Sequence, residues 1–455
     1  MGLYCELMKG LPGLAHKWGA VWAVIWLAAL VGVRAQQPAD IAAHAAPSNG
    51  PLKQLSLADA QRIGFEKNWD LLAAAAGVDA ATAQKIVAHE FPNPTLSLYS
   101  SLINVDNHPS GTTEGNGVWD RSYDTIFAIN QLFEIGGKRR SRKASAQAGF
   151  EGAKAQLLDA RRTLDVAVAK AYVAAAQAEE DVRVLLQSAG TLREEARIAD
   201  VRLRAGEISS SDKSQIEITA EQFELNAQSA KSAAAQARVA LEVLLGAAHP
   251  NAECVLTDHL ETLCAATTPI NTNSVGTWRP DVMAAEAALR KAEADLRFQK
   301  AVRVPDPTLQ AQYEHQPPDN PNSVGFMVSL PVPLWNRNRG NILAAEAVRE
   351  QARLAFEKAK AEAMGDIAVA RLAYEDALKR WRSYRESIRP KSEQIRQTMA
   401  YAYQKGGASL LDLLVAERND NDIRLAAAQA ASDAASAGAA FKAATQEIQP
   451  AQVKQ

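Results

Sequence analysis

Aromatic residues fill only 6% of the 455 positions, cysteines number 3 and histidines 7. The scarcity of rings argues against a thick aromatic core. With alanine the commonest residue, it favours helices packed closely through small side chains. Beyond His16 near the N-terminus, His44, His89, His108, His249, His259 and His315 are scattered, with no pair at the HExxH spacing of a zinc hydrolase. No glycine-rich phosphate loop follows a strand, and GGKRRS (136–141) lacks the leading glycine of a P-loop. No enzyme and no cofactor are expected. His249, His259, Cys254 and Cys264 carry soft ligands suited to zinc or copper, but their spacing matches no metal motif. A formal net charge of −2 gives no hint of nucleic acid, and no RNA- or DNA-binding motif is visible.

Long apolar runs are also missing, with one exception. Lys9 and Lys17 precede GAVWAVIWLAALVGV (19–33), and Val33-Arg34-Ala35 closes it with small residues at the cleavage positions. At about 15 residues this is shorter than the roughly 20 that span a bilayer, so it predicts a signal peptide over 1–35. Its removal takes away Cys5 and leaves Cys254 and Cys264 in an oxidising compartment. A bridge between them is expected to staple a short loop, with free buried thiols the alternative.

What the chain does contain is a duplication, expected as a first repeat over 36–265 and a second over 266–455. NPTLSLYS from Asn93 corresponds to DPTLQAQY from Asp306. Beyond the strands the copies match at a constant offset without a gap: Arg139 with Arg339, Gly190 with Pro390, and Gly206, Ser209 and Asp212 with Gly406, Ser409 and Asp412. Each copy opens with a helical stretch, the first started by Ser56 and Asp59 and both ended by prolines, Pro92/Pro94 and Pro305/Pro307. Two alternating strands follow: Leu309, Ala311 and Tyr313 oppose Thr308, Gln310, Gln312 and Glu314, and Tyr123, Thr125, Phe127 and Ile129 alternate likewise. The strands of each pair are joined by polar, Pro/Gly-rich loops, NVDNHPSGTTEGNGVWDR (104–121) and HQPPDNPNS (315–323).

Each copy then enters a long helix. No proline occurs from Lys138 to Ala205, and such a helix would extend roughly 100 Å. Ile367, Ala370, Tyr374, Ala377 and Trp381 form a coiled-coil seam, as do Leu157, Leu164, Val168, Ala171, Ala175 and Val182. Gly190 and Pro390 interrupt both helices at one register and predict a shared kink or junction. RAGEISSSD and KGGASLLD then supply tight turns into returning helices.

Four strands of this length suit a membrane barrel, but the smallest such barrels need eight, and open sheet edges are not tolerated in lipid. The chain is therefore expected to share a barrel with copies of itself, while its amphipathic helices stand in water. The cationic seams GGKRR and NRNRG mark where barrel becomes helix. Arg139 and Arg339 are placed there, either meeting lipid phosphates or capping helices and pairing with acids.

LSLADAQRIGFEKN, the NPTL and DPTL strand starts, and SIRPKSEQIRQTMAYAYQKGGASLLDLLVAE carry a resemblance to the TolC family of outer-membrane efflux proteins, over essentially all the mature sequence. In the last stretch Pro390, Tyr403, Gly406, Ser409, Asp412 and Glu417 fall at the family's spacing. SLPVPLWNRNRGNI is similar to the CzcC-like heavy-metal branch. The resemblance implies a mainly α fold with a membrane β-barrel: a homotrimer whose twelve-stranded barrel continues into a periplasmic α-helical tunnel. It implies two partners, a periplasmic adaptor and an inner-membrane pump of the resistance–nodulation–division (RND) type. It places Gly206, Ser209, Gly406 and Ser409 at adaptor-facing tips and Asp412 in a carboxylate ring at the narrowest point. Val415 stands where the family often has a second acidic ring. Asp212 is implied to accept a hydrogen bond from Tyr403 and hold the mouth closed. Three functions compete: a duct for heavy-metal cations, a duct for drugs, solvents or secreted polypeptide (type I secretion), and a non-pore periplasmic coiled-coil adaptor or structural protein.

Overall fold

The computed structural model describes residues 54–101, 124–265, 279–316 and 320–445, all in one compact unit spanning Pro47–Gln455. The expected signal peptide, Tyr123 and the 104–121 loop lie outside the described residues.

Ser56 starts α1 (Leu57–Lys67) by accepting from the Asp59 N–H, and Asn68 starts α2 (Trp69–His89) by accepting from the Leu71 N–H. The prolines then end the helix as expected. β2 (Thr95–Ser101) and β3 (Asp124–Leu132) follow, and α3 runs unbroken from Lys138 to Arg204, 67 residues. It returns as α4 (Ser210–Leu244). A link through β4 (Val255–Leu256) and α5 (Leu260–Ala265) leads to the second repeat. There α6 (Pro280–Val302), β5 (Thr308–Gln316), β6 (Asn320–Ser329), α7 (Arg339–Ser383), α8 (Arg389–Gln404) and α9 (Leu410–Thr445) reproduce the order of the first.

The four long strands form one antiparallel sheet in the order β2-β3-β5-β6. Its register sorts the side chains onto two faces, because directly opposed residues point the same way. Leu96–Ile129–Ala311–Phe326 form one cross-sheet row and Leu98–Phe127–Tyr313–Val324 the next. The opposite face carries Ser97–Ala128–Gln312–Gly325 and Thr95–Asn130–Gln310–Met327. One face is apolar and the other largely polar, the pattern of a barrel wall between lipid and water. On the apolar face Leu96 is 82% and Phe326 85% exposed, which an aqueous fold would not tolerate as a contiguous patch. The strands extend further into HQPPDNPNS than its loop composition predicts: β5 reaches Gln316 and β6 begins at Asn320, with a register irregularity between Glu314 and Gln316.

Near the middle of the long helices, the two-residue strand β1 (Gln54–Leu55) pairs in parallel with β4. Tyr172 of α3, fully buried, donates to the Leu55 carbonyl at 2.8 Å and accepts from the Asp258 N–H at 3.2 Å. Around it pack Leu55, Ala60, Leu71, Leu164, Val168, Leu241 and Leu245. A second cluster gathers Val173, Leu260, Cys264, Ala377, Trp381 and the alanines of α9, so small side chains do bring these helices together.

Three expectations are corrected here. The interruption is not shared: α3 continues as helix through Gly190, while the second repeat has a π turn at Tyr384–Ile388 just before Pro390. Glycine keeps its N–H and merely lowers helix propensity. Proline removes a hydrogen bond and crowds the carbonyl four residues back, and the wider turn relieves that clash. The gap-free match also fails at the helix starts. The left-handed residues Gly137 and Asn338 that begin α3 and α7 are one position out of step with the tip glycines Gly206 and Gly406. The disulfide is absent as well: Cys254 and Cys264 are free and buried. The Cys264 thiol donates to the Ala431 carbonyl of α9 at 3.0 Å, while Cys254 lies beside Glu242, whose carboxylate accepts the Cys254 N–H at 3.2 Å. Burial pushes the Cys254 thiol up to about 12 and the Cys264 thiol to about 11, so neither is a reactive thiolate near neutral pH.

Candidate functional site

Two regions hold the expected residues: the helical tips and the strand-to-helix joints at the other end.

At the first tip Gly206 adopts φ +78°, and the Glu207 N–H donates back to the Arg202 carbonyl at 2.9 Å. A left-handed glycine closing a helix this way lets the chain reverse at once. Ser209 then caps α4, its Oγ accepting from the Asp212 N–H at 3.1 Å while Asp212 accepts the Ser209 N–H at 3.3 Å. The second tip repeats the device. Gly406 has φ +76°, the Gly407 N–H donates to the Ala402 carbonyl at 2.8 Å, and Ser409 exchanges the same bonds with Asp412 at 3.1 and 3.2 Å. Both aspartates are thus capping residues within the chain. Hydrogen bonds from Ser409 hold the exposed Asp412 carboxyl below its ordinary range, so it is charged at neutral pH. Val415, one turn on, is exposed.

Tyr403 is 7% exposed, with the Arg202 guanidinium 5.1 Å from its ring centre. Its buried hydroxyl has no hydrogen-bond partner among the described residues, so the expected Tyr403–Asp212 bond is not made within the chain. The Asp212 carboxylate is instead turned back on the Ser209 cap. Burial raises the Tyr403 pKa, opposed by Arg202 and assisted by the negative charges of Asp212 and Glu195.

Above the tips lies a buried polar belt that sequence reading missed. Ser392 donates to Asp420 at 2.8 Å, Arg396 pairs with Glu417 at 3.2 Å and with Asp420 at 3.4 Å, and Ser188 of α3 donates to Asn421 at 3.0 Å. Glu417 and Glu195 are both raised above the ordinary glutamate range, chiefly by burial. The signal was present as Ser392/Arg396 four apart and Glu417/Asp420 three apart, spacings that put each pair on one helix face.

At the joints the two expected arginines part company. Arg139 donates to the His89 carbonyl at 2.6 Å and covers the Phe91 ring at 3.8 Å. It therefore clasps its own repeat rather than reaching outward. Arg142 forks onto Glu134 at 2.5 and 3.0 Å. Lys138, only 7% exposed, pairs with Asp306 at 2.7 Å across the repeats. Arg339 is exposed.

The outer membrane efflux protein family matches this chain over residues 65–247 and 277–446. The cobalt-zinc-cadmium resistance protein CzcC of Cupriavidus metallidurans is 25% identical over 372 residues, 80% of this chain and 83% of that protein. The nickel-cobalt-cadmium resistance protein NccC of Alcaligenes xylosoxydans xylosoxydans is 26% identical, covering 74% of this chain and 73% of that one. Among solved structures, a crystal structure of CusC superposes with a TM-score of 0.69 at 18% identity, over 88% of this chain and 95% of that one. A family match over both repeats, with a sheet that has a lipid face, removes the reading as a non-pore coiled-coil adaptor. The chain belongs to the outer membrane efflux protein family and is a duct of the outer membrane with a periplasmic helical tunnel, not an enzyme.

Proposed function

We propose that the chain is the exit duct for heavy-metal cations in a tripartite system, working with an RND-type pump and a periplasmic adaptor. The observation that carries the cargo is the naming of CzcC and NccC, relatives matched over 83% and 73% of their own length, for cobalt, zinc, nickel and cadmium resistance. Three copies supply twelve strands, joining the open edges β2 and β6 into a closed barrel. The tips at Gly206, Ser209, Gly406 and Ser409 face the adaptor. Three Asp412 carboxylates ring the mouth and attract cations, and the unsatisfied Tyr403 hydroxyl is the half of a latch that Asp212 completes when the mouth closes. Arg139 and Arg339 belong to the barrel–tunnel junction, Arg139 as a clasp and Arg339 facing outward.

The test is a deletion strain challenged with cobalt, zinc, cadmium and nickel in parallel with hydrophobic drugs. Metal sensitivity of the deletion strain, relieved by the wild-type gene, is the expected result; drug sensitivity alone would move the cargo to the second class. In planar bilayers Asp412→Asn lowers cation preference, and an unchanged reversal potential would remove the carboxylate ring.

A further inference from the structure

We infer that the joint after β6, residues 330–338, seats on the Phe91–Pro94 segment of a second copy of this chain, where Asn93 fills the place that Asp306 fills within the chain. The inference rests on the shared-barrel reading and specifies its contact.

The template lies inside the molecule. After β3 the chain settles onto the segment that precedes β5, its neighbour in the sheet. The Phe133 N–H donates to the Pro307 carbonyl at 2.9 Å and the Ile135 N–H to Asp306 Oδ1 at 2.9 Å. Lys138 Nζ donates to the Val304 carbonyl at 2.6 Å and meets Asp306 Oδ2 at 2.7 Å. Gly136 lies so close that an added Cβ would fall 2.9 Å from the Cβ of Val304. The seat reads VPDPTL from Val304 to Leu309.

The same seat exists a second time. FPNPTL, from Phe91 to Leu96, precedes β2, which lies at the opposite sheet edge from β6. From its own chain it receives Arg139 over the Phe91 ring and Gln131 Nε2 on the Pro92 carbonyl at 3.0 Å. Asn93 is exposed and Phe91 is 68% exposed. The second joint is the converse, a joint without a seat. Asn338 Nδ2 donates to the Gln299 carbonyl at 2.8 Å, clasping its own preceding helix as Arg139 clasps His89. Beyond that clasp Val332 is 69%, Leu334 61% and Trp335 93% exposed.

One chain thus ends in an empty seat at one sheet edge and an unseated joint at the other. A ring of copies brings them together in the arrangement the chain already shows once. The polar chemistry of the seat changes: in the sequence repeat Asn93 matches Asp306, so a neutral amide stands where the first seat has a carboxylate.

The experiment uses the full chain extracted from outer membranes, with Asn93→Cys and Trp335→Cys in one polypeptide, then oxidation. Cys254 and Cys264 are buried and form the background. The expected result is a covalent ladder up to trimer on a denaturing gel, with monomer for each single variant. The pair Ile135→Cys with Asp306→Cys, which closes within the chain, reports that this geometry is oxidisable, and Asn93→Cys with Leu334→Cys replaces the first pair if loss of the indole blocks assembly. A native trimer without a ladder, while the in-chain pair closes, overturns the inference and leaves the shared barrel standing. A native monomer removes both. Trp335 emission quenched by brominated lipid, and lost in Trp335→Phe, assigns the joint to the bilayer surface and also overturns it.

Discussion

Tyr172 and Leu372 occupy matched positions of the two long helices, yet Tyr172 is 0% exposed and Leu372 67%. Leu164 and Met364 differ in the same direction, at 8% and 56%. The two seams run one position apart, through Val168 and Ala175 in α3 and through Ile367 and Tyr374 in α7, and the surroundings of the helices differ as well. α3 is enclosed by α1, α2, α4, α6 and α9, whereas α7 packs mainly on α6 and α9. Leu343, Val348, Leu354, Val369 and Leu372 are left on the outside of α7. A duplicated sequence has therefore built one repeat that is finished within the chain and one that is not. That asymmetry is what a ring assembly requires, since each copy must offer an incomplete surface to the next.

The sharpest way to break this comparison is to truncate both members of a matched pair. Tyr172→Ala removes a fully buried ring and its bonds to Leu55 and Asp258, and should cost about 3–5 kcal/mol of stability. Leu372→Ala should cost the chain itself no more than about 0.5 kcal/mol. Denaturant unfolding of dissociated, detergent-solubilised chain compares the two directly; similar losses would mean that α7 is packed within its own chain after all.

Three left-handed glycines give the next largest contrast. Gly206, Gly246 and Gly406 share nearly the same φ, +78°, +78° and +76°, but their surroundings differ. A Cβ on Gly246 would fall 2.2 Å from the Lys67 carbonyl oxygen, while nothing lies within 4 Å of one on Gly206 or Gly406. Alanine at either tip should cost only the left-handed strain of about 1–2 kcal/mol. Gly246→Ala adds a backbone clash where α4 meets the end of α1, and its melting temperature should fall further than that of Gly206→Ala. Equal shifts would show that the Lys67 turn gives way freely.

A smaller effect separates Asp181 from its match Trp381. Trp381 is 7% exposed in the alanine-rich cluster. Asp181 has a buried, unpartnered Oδ1 and a pKa pushed up to about 6, chiefly by burial. Because the folded value lies above the ordinary one, the stabilisation from proton binding is fully present below the unfolded pKa. It is lost as pH rises through about 6. Stability should therefore decline between about pH 4 and 7, and Asp181→Asn should flatten that slope and raise stability at pH 7.5. An unchanged profile would assign the slope to Glu195 and Glu417, which are raised in the same direction.

Much of this asymmetry is hidden from the sequence. Period, proline positions and strand alternation all report local backbone and which face is apolar. They made the strand order within each repeat, the length of α3 and both tip turns readable, because each depends on residues a few positions apart. Whether Leu372 is covered depends on which helices pack around α7, and within the chain those are α6 and α9. Asp412 was readable as a charged residue beside a tip, but its exchange of bonds with Ser409 is equally readable as a capping box, and Asp212 makes the same exchange. The buried belt of Arg396, Glu417 and Asp420 escaped notice because charges at helical spacing ordinarily mark a solvated face. Only the packing of α8 and α9 shows them to be inside.

The smallest stability effect bears most directly on function. The Tyr403 hydroxyl is buried without a hydrogen-bond partner among the described residues, and an unsatisfied buried polar group costs free energy rather than contributing it. Tyr403→Phe should therefore leave the stability of the dissociated chain unchanged or raise it slightly. It also leaves the ring in place beneath Arg202, so packing at the second tip is preserved. If Asp212 accepts from this hydroxyl only when the mouth is closed, the variant loses the latch while keeping the fold, and its resting conductance in planar bilayers rises. Asp212→Ala should raise conductance too, but it also removes the Ser209 cap partner and lowers stability by up to about 1 kcal/mol. The two variants thus separate latch from cap. A raised conductance in both with lost stability only in Asp212→Ala supports a latch, whereas a change confined to Asp212→Ala would mean that the mouth is held by the capped turn alone.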